Sequence, residues 1–265
     1  MPALAARRDT RIFEWAQTRD LLRELIARDI KLRYRGSMLG ILWTLLNPLA
    51  ELLVLYFVFG TVLQVTIPNF PAYLFTGLLV YGWFQTSVNF ATGAVVANRE
   101  LVRRPGVPVL ILPIVTVASN LVHFVLSLPI LIGLLLISHV PLTSAALLLP
   151  GLIAIEFVLI LGFAYPVAVV NVWFRDTQHV LRIALQLLFY MTPIFYKTST
   201  VPQNLQWWYR INPLTHLVDA YRAVLMRGEL PEAGGLTYLI VVSIALCLIG
   251  LAWYRRASYR FADEV

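Results

Sequence analysis

Residues 28–49 read RDIKLRYRGSMLGILWTLLNPL, a cationic run that passes without a linker into a long apolar segment. Arg28, Lys31, Arg33 and Arg35 are costly to carry across a bilayer. The segment from Met38 to about Leu63 is long enough to cross one, because roughly 20 apolar residues span the hydrocarbon core. The junction therefore predicts a first span whose amino-terminal side stays in the cytoplasm. The first 20 residues contain no short apolar core followed by a small-residue cleavage site, so the span reads as uncleaved.

The whole chain has the same character. Of its 265 residues, 59% are hydrophobic and only 13% are charged, and the mean hydropathy is +0.76, outside the range of a soluble domain. The expected fold is an all-α polytopic membrane protein with a cytoplasmic arm at 1–37 and a single transmembrane domain at 38–265. Six apolar runs, at about 38–63, 72–97, 109–137, 145–173, 180–195 and 236–254, read as spans. Six crossings place both termini on one side, and the cations agree with this. Nine Lys and Arg lie in the arm, three in the turn NRELVRRPGVP (98–108), two at Arg175 and Arg182, and three at the tail. Only Lys197, Arg210, Arg222 and Arg227 fall outside. The net charge of +7 thus reflects topology rather than nucleic-acid binding, for which no soluble fold is on offer. Cys247 is the only cysteine, so an internal disulfide is ruled out.

Two segments are neither spans nor ordinary loops. From about Phe13 to Arg35, Leu22, Leu25, Ile26 and Ile30 recur at helical spacing among charged residues, which predicts an amphipathic helix along the inner leaflet, with Glu24 and Arg28 placed to pair. Between spans five and six, Thr198 to Gly228 is too polar to cross and too apolar to be a solvated loop. Trp207 and Trp208 are interface residue types. Two short re-entrant helices over about 201–228, broken at Asn212 and Pro213, are expected to form an outer gate with His216 and Asp219.

The chemistry is sparse. The chain has no G-x-x-x-x-G-K-[ST] phosphate loop, H-E-x-x-H or G-x-S-x-G. It holds no signature for hydrolysing ATP, and no catalytic, cofactor or metal residue is assigned. Glu51 and Glu156 lie inside spans one and four, where an ionisable group is either a proton site or an interior hydrogen-bonding partner. His216 and Asp219 are three apart on one helix and could pair, or serve an intramembrane transferase. His123 reads as a hydrogen-bonded interior histidine. Tyr56, Phe59, Tyr81, Trp83, Phe84, Tyr190 and Tyr196 are candidates to line a path, since flat rings suit the C–H faces of sugars.

Four stretches resemble the membrane subunits of ATP-binding-cassette exporters of cell-surface polysaccharides, the O-antigen, capsule and teichoic-acid permeases. They are 28–49, 98–108, VNVWFRDTQHVL (170–181), and YMTPIFY (190–196) with INPLTHLVDAYRAVLMRG (211–228). The resemblance implies a homodimer with two separate ATPase subunits, which bind the ATP and Mg, and a lipid-linked polysaccharide as cargo, O-antigen-like or teichoic-acid-like by the first segment. It implies an inner-membrane location. It also implies that Arg28, Lys31, Arg99, Glu100, Arg103, Arg104, Arg175 and Asp176 form the surface resting on the ATPase. The competing reading is a proton-coupled transporter using Glu51 and Glu156.

Overall fold

The computed structural model describes residues 2–35, 40, 42–104 and 107–264, with side chains from Thr18 onward. The start of the expected first span and Pro105 and Gly106 of the charged turn lie outside the described residues, as do the side chains of the arm cations Arg7, Arg8 and Arg11. No described residue is in a strand.

The helices are α1 (Pro2–Tyr34), α2 (Leu42–Leu55), α3 (Phe70–Ala97), α4 (Arg99–Arg103), α5 (Ile111–Ile137), α6 (Leu149–Trp173), α7 (Thr177–Met191), α8 (Gln206–Ile211), α9 (Pro213–Arg222), α10 (Ala233–Ser258) and α11 (Phe261–Glu264). α2 continues as a π-helical turn over Tyr56–Val62, and α9 does the same over Ala223–Arg227. Among the described residues, four segments are long and apolar enough to cross a membrane: Leu42–Val62, Ile111–Ile137, Ser144–Trp173 and Ala233–Ser258.

The remaining two expected spans differ for separate reasons. α3 has ample length at 28 residues but carries Thr76, Gln85, Ser87, Asn89 and Thr92 among its apolar residues. Most of it is buried, packing against α5 and α6 and also touching α2, α7 and α9, with Phe90 left exposed. A helix enclosed by protein need not be lipid-compatible on any face. α7 spans only 15 residues, starting before the expected run and stopping short of Phe195. It ends because Thr192 precedes Pro193, whose ring disfavours helical backbone at the residue before it. Thr192 accordingly adopts φ −98° and ψ 136°.

The arm is amphipathic as its spacing suggests, but its apolar stripe covers protein. Leu25 is buried with Ile111 and Val115 of α5, flanked by Leu21, Leu22 and Ile26, while further along Arg33 reaches Asn120 and Tyr34 reaches His123. The last turns of α1 therefore run alongside the first turns of α5. Arg28 pairs with Asp29 at 3.0 Å, not with Glu24.

α6 and α10 make the most extensive helix pair, and small residues set how close they come. A Cβ at Gly162 would lie 2.8 Å from Leu246 Cβ and 3.0 Å from the Cys247 backbone nitrogen, and one at Gly250 would lie 2.9 Å from Pro166 Cδ. Gly162→Val should force the pair apart at a cost of about 1–3 kcal/mol and lower the melting temperature of the detergent-purified protein. An unchanged melting curve would contradict this packing.

Candidate functional site

At one end of the bundle the segment around α4 is fastened at both of its ends, by two tyrosines after the helix and by an arginine before it. Tyr254 of α10 donates to the Val109 carbonyl at 3.2 Å, and Tyr165 of α6 donates to the Leu110 carbonyl at 3.3 Å. Arg28 of α1 donates to Asn98 Oδ1 at 2.8 Å. The Phe261 ring of α11 lies 5.2 Å from Tyr254 and 6.0 Å from Trp173, which brings the 173–178 corner to the same end. Arg99, Glu100, Arg103, Arg104, Arg175 and Asp176 are exposed there, and their side chains make no hydrogen bond or ion pair with another described residue. Lys31 is likewise exposed and unpaired. A backbone pinned by tyrosines and fringed with unpaired charge can transmit a push without giving way.

The opposite end is organised by α9. Pro213 occupies its first turn, where a missing N–H costs nothing, and Asn212 caps it by accepting from the Leu214 backbone N–H at 3.0 Å. The helix break at Asn212 and Pro213 is thus present. Asn212 also donates to Thr192 Oγ1 at 3.3 Å, tying α9 to the turn that ends α7. His216 and Asp219 do not form a pair. His216 Nε2 donates to the Arg210 carbonyl at 2.9 Å, whereas Asp219 binds Arg227 at 3.0 Å. Trp207 and Trp208 stack 4.3 Å apart on α8, each about half exposed.

Sequence reasoning missed the residue that holds this end together. Arg222, counted there as an outer-loop cation, is only 4% exposed. Its Nη1 donates to the Pro193 carbonyl at 2.7 Å, and its Nη2 donates to the carbonyls of Ile194 at 2.7 Å and Tyr73 at 3.1 Å. The guanidinium also sits 3.4 Å over the Tyr73 ring. Gly77 makes the room, since a Cβ there would lie 2.9 Å from Arg222 Nη2. The adjacent Tyr221 points the other way and donates to Glu156 Oε2 at 2.7 Å. Glu156, fully buried on α6, is therefore engaged by α9, while Arg222 clasps α3 and the turn after α7. Two consecutive residues lock α9 to three elements.

The path candidates divide. Phe59 stacks on Phe195 at 4.4 Å, and Tyr190 and Tyr196 lie 6.1 and 5.1 Å from the same ring. Tyr56 is 41% exposed nearby, its ring 6.2 Å from Phe70. The Tyr196 and Tyr209 hydroxyls bond at 2.9 Å, and burial, reinforced by Tyr209, raises the Tyr196 phenol above its ordinary pKa. These residues form one aromatic cluster at the α9 end. Tyr81 and Phe84 instead sit in the core of the subunit, Tyr81 donating to the Leu185 carbonyl. Trp83 is buried against Phe124 and donates to the Val117 carbonyl at 3.3 Å. Glu51, on α2, faces a cavity shared with α1, α3 and α5, and His123 accepts or donates at 2.8 Å from the Tyr34 hydroxyl.

A family model described as "ABC-2 type transporter" matches residues 20–226. An O-antigen export system permease protein, RfbA, of Myxococcus xanthus is 36% identical over 95% of this chain and 98% of its own length. An RfbA of Klebsiella pneumoniae is 31% identical over 92% and 94%. The polysialic acid transport protein KpsM of Escherichia coli is 32% identical over 87% of this chain and 91% of its own length.

Proposed function

This chain belongs to the ABC-2 type transporter family, and from that premise we propose that it is the membrane half of an ATP-driven exporter of a lipid-linked, O-antigen-like polysaccharide. The observation that carries the reading is the near-complete match to the Myxococcus xanthus relative, which is named for O-antigen export. The absence of a phosphate loop from the sequence fits a permease whose motor is a separate protein. ATP and Mg then belong to two partner ATPase subunits resting on the charged end of the bundle.

The same reading has the chain crossing the inner membrane six times, with α3 and α7 completing the set and both termini in the cytoplasm. α8 and α9 dip into the outer leaflet, where irregular backbone is tolerated only under protein cover. Two copies form the path. Val180, Ile183 and Leu187 of α7, Leu53 and Val54 of α2 and Phe57 of its π-helical continuation are large apolar residues that this chain leaves exposed, and they supply the surface for a second copy and for lipid. Closure of the ATPases pushes on the turn at 98–108, and the rigid anchorage of that turn carries the motion into α5, α6 and α10.

Reversing Arg103 and Arg104 to glutamate tests the docking assignment. The doubly reversed protein should insert and dimerise normally, while ATP hydrolysis by the assembled transporter loses its dependence on glycan and export falls by tenfold or more. Full coupling in that variant would remove the turn from the interface.

A further inference from the structure

Between α1, α2, α3 and α5 lies a cavity of about 560 Å³. On one wall Arg33 Nη1 donates to Asn120 Oδ1 at 2.8 Å, and its guanidinium lies 4.5 Å from the Phe90 ring centre. Arg33 has no acidic partner within ion-pair distance among the described residues. Facing walls contribute Asn47 and Glu51 from α2 and Gln85 from α3, and these three side chains make no hydrogen bond or ion pair with any described residue. Trp43 and Phe90 add rings that are 49% and 53% exposed.

Position makes this arrangement informative. Asn120 lies nine residues beyond Ile111, about 14 Å along α5 at the helical rise, so the cavity reaches well past the charged end of the bundle. Arg33, Asn47 and Glu51 are exposed in the single chain and Gln85 is half-buried, so they are open to a ligand, and polar groups set this far along membrane helices are costly unless a ligand or water meets them. An acyl chain would leave all of them unmet. A guanidinium with spare donors presents a planar fork that suits phosphate oxygens. Amides and a carboxylate suit vicinal hydroxyls, and half-exposed rings suit the C–H face of a sugar. The volume falls in the range of small-ligand sites, enough for a phosphorylated sugar and far too little for a polymer.

We propose that this cavity binds the glycosyl-phosphate head of a lipid-linked glycan, with Arg33 on the phosphate and Glu51, Gln85 and Asn47 on the sugar hydroxyls. The inference rests on the polysaccharide-export reading and gives it an entry site on the cytoplasmic side. Cargo is recognised by its lipid-proximal end, whatever the length of chain behind it.

Binding to the assembled transporter in nanodiscs tests the proposal. The probes are a short-chain polyprenyl diphosphate carrying N-acetylglucosamine, the same polyprenyl diphosphate without sugar, and soluble N-acetylglucosamine 1-phosphate. Arg33→Gln should weaken both lipid probes at least tenfold. Glu51→Leu and Gln85→Leu should weaken the sugar-bearing probe about tenfold and leave the bare lipid diphosphate unchanged. Should Arg33→Gln fail to purify, Arg33→Lys carries the same expectation as a several-fold loss, because a point charge cannot reproduce the bidentate fork. Unchanged affinity in the Arg33 variant would overturn the site, and equally tight binding of the soluble sugar phosphate would overturn its lipid-linked occupant. A transporter that binds the probe through Arg33 yet exports no glycan keeps the site and removes the export reading. Export with probe affinity indifferent to Arg33 does the reverse.

Discussion

Arg222→Met is expected to abolish glycan export and to destabilise the purified protein by on the order of 2–6 kcal/mol, because two buried carbonyls lose their donor. The effect should be large because, among the described residues, Arg222 alone donates to the Pro193 carbonyl and to the Ile194 carbonyl, and each buried acceptor left without a donor costs about 1–3 kcal/mol. Methionine restores apolar bulk but no donor. Arg222→Lys should lie between, since a single ammonium cannot span three carbonyls and the Tyr73 face together. Gly77→Leu attacks the same contact from α3, where the added side chain would collide with Arg222 Nη2 and with Ile194. Thermal unfolding in detergent reports the stability, and glycan transfer into proteoliposomes reports the activity. Wild-type values for Arg222→Met in both measurements would show that α9 is held by something else.

The second large effect separates a structural Glu156 from a proton-carrying one. Glu156→Gln keeps an oxygen to accept from Tyr221, so export and stability should remain close to wild type. Glu156→Leu strands the Tyr221 hydroxyl inside the bundle and should cost about 1–3 kcal/mol with a marked loss of export. Tyr221→Phe added to Glu156→Leu should recover part of that loss, and the double-mutant cycle should give a coupling well above the few tenths of a kcal/mol seen for independent sites. Loss of transport in Glu156→Gln with an intact fold would instead favour proton coupling.

Much of the helix layout was legible because a few residues carry unambiguous costs. Cations beside an apolar run, the proline after Asn212 and the aromatic pair at Trp207 and Trp208 each constrain backbone or depth on their own. Counting Arg222 among the outer-side cations says nothing of its burial, although its spacing does. Leu214, Val218 and Arg222 follow one another at intervals of four, so Arg222 stands on the apolar face of α9 and had to be buried with it. Spacing identified the stripe on α1 but not what it covers, because a lipid surface and the flank of α5 demand the same residues. Tyr81 and Phe84 could not be told from path-lining rings for a related reason. A buried tyrosine with a backbone carbonyl for its hydroxyl has the same composition as one facing a sugar. The cavity at Arg33 joins residues from α1, α2, α3 and α5, and no single stretch of sequence announces that meeting.

The central claim is that this chain provides a route and a separate ATPase provides the power. Reconstituting it with and without an ATPase partner, and following transfer of a lipid-linked glycan across the vesicle membrane, tests that claim directly. The account predicts transfer only when both proteins and hydrolysable ATP are present. Transfer by this chain alone, at a rate indifferent to ATP, would contradict it.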